Sequence, residues 1–192
     1  MERAISVVFY LALIGCVSAQ IPRFGSCPDV EVMEDFDVTK YTGIWYEYQR
    51  YFTFFEINGK CGKATYTLDT SDNSIIVENN GINAKTGAES YTKGKAVAPN
   101  KDIPAKLEVS FPVAGPFAKG KYWVLDTDYE TYSVVYSCSA DVKLAHADIV
   151  WILSRDRSGL SKATKEKIYA LLKSQGIRTW PLNTIDQTNC PN

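Results

Sequence analysis

The chain has 192 residues, with 21 Lys and Arg against 22 Asp and Glu, a net charge of −1 and one histidine. That balance excludes the basic excess of a nucleic-acid-binding protein, and an aromatic content of 12% excludes a chain that cannot fold. A single histidine leaves little room for a histidine metal cluster or most catalytic triads. In chain order, residues 1–19 read as a secretory signal. Arg3 lies in a short n-region, an apolar stretch runs from Ala4 to Val17, and Val17-Ser18-Ala19 suits signal peptidase. Cleavage leaves Gln20 as the N-terminus of a single domain over 20–192. The apolar run is too short for a preferred membrane span, and no other stretch could cross a bilayer, so a secreted, extracellular protein is expected.

Leu13-Ile14-Gly15-Cys16 also resembles a bacterial lipobox, which would instead make Cys16 a lipid anchor. Removal of the signal leaves Cys27, Cys61, Cys138 and Cys190. An even number in an exported chain implies two disulfides, with three pairings open. No spacing suggests zinc or a CxxC redox pair, and no Asn-x-Ser/Thr sequon is present.

From Gly43 to Arg155, short alternating runs are separated by turn residues such as Asn58-Gly59, Asp72-Asn73 and Asn80-Gly81. The strands expected are 43–54, 61–69, 74–80, 88–97, 105–111, 119–127, 131–138 and 147–154. Eight strands joined by short loops suggest an antiparallel meander, which closes naturally into a barrel and so removes its edges. One helix is expected over 161–175, capped by Ser161 and ended by Gly176, with Ile168, Leu171 and Leu172 on one face. In the second to fifth strands one face is polar: Thr65, Thr67, Glu78, Lys93, Lys95, Lys106 and Glu108. In the last three strands both faces are apolar, so the helix is expected to cover their outer side. The fold class is all-β: an eight-stranded antiparallel up-and-down barrel with one C-terminal α-helix packed outside.

These residues resemble a family. The run from Asp35 to Glu47, with Gly43-Ile44-Trp45 as its nucleus, resembles the first lipocalin signature. Thr127-Asp128-Tyr129 resembles the second and Arg155, after Leu153-Ser154, the third. Lys60-Cys61-Gly62-Lys63-Ala64 and Asp186-Gln187-Thr188-Asn189-Cys190-Pro191 resemble the branch of apolipoprotein D and insect bilin-binding proteins. The segment 127–138 is similar to crustacyanins and retinol-binding proteins. The resemblance implies the pairings Cys27–Cys138 and Cys61–Cys190. It also implies that Trp45 sits at the closed end beneath Arg155, with the N-terminal segment as a plug.

Alternation from Trp45 then assigns an inward, ligand-facing set. It holds Glu47, Gln49 and Tyr51; Ala64, Tyr66 and Leu68; Ile75, Val77 and Asn79; and Ser90, Thr92, Gly94 and Ala96. It continues with Leu107, Val109 and Phe111; Tyr122 and Val124; Ser133 and Val135; and Ile149 and Trp151. Small residues facing aromatic ones leave a cavity, and a few polar groups orient a guest. Glu47 or Gln49 is expected to receive hydrogen bonds there from a ligand or an ordered water, since a buried carboxylate is costly unpaired, with an outward register for Glu47 as the alternative. The open end is expected at loops 52–60, 80–88, 112–119 and 139–147. On it, Phe52, Phe54, Phe55 and Ile57 line the mouth, meet lipid or meet a partner, and Pro116 and Phe117 share the rim. His146 is expected on a surface loop, with haem ligation as the alternative.

The function expected is a secreted, non-enzymatic carrier of a small hydrophobic ligand. The resemblance implies a bilin, carotenoid, retinoid, sterol or fatty acid, held non-covalently and with no cofactor or metal required. Further partners it allows are a homo- or hetero-oligomer, as in a crustacyanin-like pigment assembly, or a cell-surface receptor. A lipocalin-type isomerase would need a free cysteine in the calyx.

Overall fold

A computed structural model describes residues 22–53, 56–112, 119–142 and 145–191, and the expected signal at 1–19 lies outside them. The barrel strands are β2 (Gly43–Arg50), β3 (Gly59–Asp69), β4 (Ser74–Asn83), β5 (Glu89–Val97), β6 (Lys106–Ser110), β7 (Lys119–Thr127), β8 (Tyr132–Val142) and β9 (Ala145–Ser154). Each pairs antiparallel with the next, and β9 returns to β2, so eight consecutive strands close on themselves. Closure satisfies the edge hydrogen bonds that an open sheet would expose. Two short strands go beyond the expected set. β1 (Pro22–Phe24) lies along β9, and β10 (Asn183–Thr184) lies along β2. Pairings of two or three residues carry no period for a sequence to reveal.

One end is closed. The short helix α1 (Val38–Tyr41), capped by Asp37, delivers Tyr41 beneath Trp45, and Phe36 packs edge-on against Tyr41 with ring centroids 5.1 Å apart. Helix α2 (Lys162–Ser174) begins where Ser161 Oγ accepts a bond from Thr164 N–H at 3.1 Å. It ends at Gly176, whose positive φ turns the chain so that Ile177 N–H reaches Leu172 O at 2.8 Å. Ile168 and Leu172 bury themselves with Leu125, Val134, Tyr136, Val150 and Ile152, so α2 covers the outer side of β7–β9. A second cluster fills the base of the barrel with Tyr41, Trp45, Tyr66, Ile75, Val77, Leu107, Val124, Val135 and Leu153.

The disulfides are Cys27–Cys138 and Cys61–Cys190. The second holds a C-terminal strap in a gap of the wall. β2 pairs with β3 only over Gly43–Tyr46, and above that point β10 takes the place of β3 beside β2. Ile185 N–H bonds Tyr48 O at 3.0 Å, and Cys61 N–H bonds Asp186 O at 2.8 Å. The Gln187 amide donates to Glu47 O at 3.0 Å and to Gly62 O at 2.9 Å. One side chain thus satisfies carbonyls on both lips of the gap, which would otherwise lose their sheet partners.

Candidate functional site: the barrel lumen

The lumen floor is built around Trp45, which is fully buried and donates from Nε1 to Tyr41 O at 2.9 Å. The Arg155 guanidinium lies 3.8 Å from the centroid of its ring. It donates to the carbonyls of Ile44 (2.7 Å), Thr42 (2.8 Å), Tyr129 (3.0 Å), Lys40 (3.2 Å) and Tyr41 (3.4 Å). Gly43 has φ +95, and a Cβ there would stand 3.2 Å from Arg155 Nη1, so glycine suits both backbone and neighbour. The β7–β8 turn is tied by Asp128 Oδ1, which accepts from the N–H groups of Glu130, Thr131 and Tyr132. Thr127 Oγ1 donates to Tyr132 O at 2.6 Å. Tyr129 then accepts from Asp37 N–H at 2.8 Å, linking the turn to the plug.

Above the floor, hydroxyl groups form a chain. Tyr41 OH lies 2.9 Å from Ser133 Oγ and 2.8 Å from Tyr122 OH, which lies 2.8 Å from Tyr66 OH. Burial pushes the Tyr41 hydroxyl up to about 12 and those of Tyr66 and Tyr122 well above their ordinary range, so all three stay neutral.

Accessibility is graded along the wall. Opposite pairs on β4 and β5 are Ile75–Ala96, Val77–Gly94 and Asn79–Thr92, all on one face. The first two pairs are buried, Asn79 is half-buried and Thr92 is exposed. Leu68, Val109, Phe111, Tyr122 and Trp151 are likewise half-buried. On β4 and β5 this face is therefore buried toward the closed end and exposed toward the end that carries the β2–β3 loop, while Leu68 opposite Ile75 and Val109 opposite Ala96 are half-buried at the lower level. At Gly94 an added Cβ would collide with Ser110 O and lie 2.6 Å from the Phe111 ring, so the absent side chain makes room for both.

β2 departs from simple alternation. Its register to β9 shifts between Glu47 and Gln49, where Glu47 faces Leu153 but Gln49 faces Ile152. This β-bulge inverts the faces of the residues that follow it. Gln49 and Tyr51, expected inward, are turned out. The Gln49 amide accepts from Tyr169 OH on α2 at 2.8 Å and donates to Thr184 Oγ1 at 3.2 Å. Tyr51 packs in the helix-side cluster and donates to Arg178 O. Arg50 takes the inward place instead, opposite Trp151. Its Nε donates to Glu47 Oε2 at 3.2 Å, Nη1 to Thr53 Oγ1 at 3.3 Å, and Nη2 to Glu56 O at 2.8 Å. The Glu56 carboxylate lies 3.5 Å from Arg50 Nε and accepts from the Thr53 hydroxyl. Burial and the Glu56 charge push Glu47 up to about 8, against the pull of Arg50.

Glu47 keeps its inward place, over Gly62. Ala64, Tyr66, Val124, Ser133 and Val135 are buried in or beside the floor cluster, and Leu107 joins them. Ile149 alternates onto the lumen side but packs within the helix-side cluster. Phe54, Phe55, Pro116 and Phe117 lie outside the described residues, while Phe52 and Ile57 are exposed at the mouth. His146 is not on a loop. It lies in β9 opposite Arg23 of β1, buried, with Nδ1 2.8 Å from Gly25 O. Among the described residues no group of three His, Cys, Asp or Glu is placed to hold a metal. Arg50 and Gln187 escape sequence reasoning, because a bulge and a chain-end strap leave no periodic trace.

Comparison with known proteins agrees with this architecture. A lipocalin-like domain matches residues 36–187. Apolipoprotein D of Mus musculus is 42% identical over 171 residues, covering 88% of this chain and 87% of that protein. The bilin-binding protein of Pieris brassicae is 33% identical over 148 residues, covering 77% and 76% respectively. Insecticyanin of the tobacco hornworm Manduca sexta superimposes with a TM-score of 0.75 at 30% identity, covering 87% of this chain and 89% of that one. With the signature residues meeting at one closed end of an eight-stranded barrel, the chain belongs to the lipocalin family.

Proposed function

We propose that this lipocalin is a secreted carrier that holds a small hydrophobic molecule non-covalently in its lumen and performs no chemistry on it. The observation that carries the reading is the graded wall of β4 and β5, buried at Ile75 and Ala96 and exposed at Thr92 on the same face. The proposed contacts are the inward set at and above the floor, without Gln49 and Tyr51 and with Arg50 added. Apolar burial drives association, at about 25 cal/mol per Å² removed from water, and the hydroxyl chain and Glu47 orient the guest.

Cys27, Cys61, Cys138 and Cys190 are all in disulfides, which leaves none of them as a nucleophile or a thioether anchor for a pigment. The same two bridges, together with the apolar stretch before Gln20, support export to an oxidising compartment. The candidate guests are a bilin, carotenoid, retinoid, sterol or fatty acid. The test is an absorption spectrum and native mass spectrum of protein purified from its source. A visible band or added mass that leaves on denaturation is expected, and a protein that remains empty when offered all five classes overturns the proposal.

A further inference from the structure

The lumen of this carrier holds a buried charge cluster whose composition bears on which guest it takes. Arg50 is the cation of that cluster, and its side chain is only 6% exposed. Four of its five N–H bonds have partners among the described residues: Nε faces the carboxylates of Glu47 and Glu56, Nη1 donates to Thr53 Oγ1 and Tyr51 O, and Nη2 donates to Glu56 O. The lysines of the described barrel strands alternate to the outer surface. There Lys93 and Lys95 pair with Glu78 and Asp72, and Lys106 and Lys121 stack on Trp123. Two carboxylates therefore surround one paired guanidinium beneath the β2–β3 loop, at the open end of the lumen.

We infer that Glu47 is a specificity-determining residue of the lumen: with Arg50 committed to it and to Glu56, the calyx takes an uncharged apolar molecule bearing a hydroxyl and excludes its carboxylate counterpart. A carboxylate drawn into the lumen sheds its water and finds no unpaired cation. It also meets the negative charge of Glu56 and of ionised Glu47. A hydroxyl suits either protonation state of Glu47, because it can donate to the carboxylate and accept from the acid. The neutral chain Tyr66–Tyr122–Tyr41–Ser133 below offers it further partners of the same kind. Gly62 keeps this arrangement in place. A Cβ there would stand 2.6 Å from Glu47 Cδ, so only glycine lets the carboxyl fold back against β3 toward Arg50.

The inference rests on the carrier reading, and matched ligand pairs separate the two. Retinol and retinoic acid, and oleyl alcohol and oleic acid, are titrated into ligand-free protein at pH 8.5, with quenching of lumen tryptophan fluorescence as the readout. Each alcohol should bind more tightly than its acid by about tenfold or more. In the Glu47→Gln, Glu56→Gln double variant Arg50 is released, and the ratio should fall toward one through a gain in acid binding. Acids that bind the natural protein as well as the alcohols overturn the inference and leave the carrier intact. A double variant that folds and keeps the natural ratio also overturns it. If the variant does not fold, the comparison in the natural protein still decides. Failure of all four compounds to bind also overturns the inference, and the carrier reading is then decided by the five ligand classes named above.

Discussion

Glu47 and Arg50 are three residues apart on one strand, yet both point into the lumen and meet at 3.2 Å. In a regular strand such a pair lies on opposite faces. The register shift between Glu47 and Gln49 supplies the extra residue that brings them together. The same shift turns Gln49 and Tyr51 outward to anchor α2 and the C-terminal strap. One irregularity therefore sets the polar content of the cavity and the docking of the helix.

Glu47 makes stability depend on pH. Its folded value, about 8, stands above the ordinary 4.5, so the fold favours the protonated acid. That contribution is fully present below pH 4.5, declines as the unfolded chain ionises, and is lost as pH rises through 8. Thermal unfolding of the natural protein should show a falling Tm between pH 5 and pH 9. Glu47→Gln removes the titration, and its curve should be flatter, with a Tm gap closing or reversing by roughly 2–6 °C at pH 9. Parallel curves for the two proteins would show that Glu47 does not titrate with folding.

Arg155 joins five carbonyls and the Trp45 ring at the closed end. Arg155→Ala leaves several of them without partners and removes the cation from the ring. A loss of about 2–4 kcal/mol is expected in urea unfolding, with a red-shifted tryptophan emission. Arg155→Lys should recover less than half of it, because a single ammonium cannot fork between Ile44, Thr42 and Tyr129.

Gly62→Ala should displace Glu47 from Arg50 and cost about 1–3 kcal/mol. Combining it with Glu47→Ala removes the obstruction, so the two effects should be strongly non-additive in a double-mutant cycle. Simple additivity would mean that the alanine methyl finds space elsewhere.

Replacing Cys61 and Cys190 by serine frees the strap. The bridge spans 129 residues of sequence, and its loss should cost about 2–5 kcal/mol. Hydrogen exchange should speed first at Ile185 and Cys61, whose amides bond across the gap, while amides of β4 and β5 keep their protection. Uniform acceleration throughout the barrel would show that the strap acts globally instead.

The amino-acid sequence by itself determined the number and order of the barrel strands and the helix with its caps, while the residues of the closed end came from its family resemblance. Alternating side chains and turn residues act locally, and Ser161 or Gly176 does its work within a few residues. The tertiary structure alone decided the faces of β2 beyond Glu47, the insertion of residues 183–187 between β2 and β3, and the burial of His146 under β1. Each depends on what lies across the fold: the register imposed by β9, a gap in the wall, a strand added from the N-terminus. Alternation reads a face correctly until the strand gains a residue. Whether it gains one at Tyr48 depends on the helix and strap waiting outside, which no local pattern records.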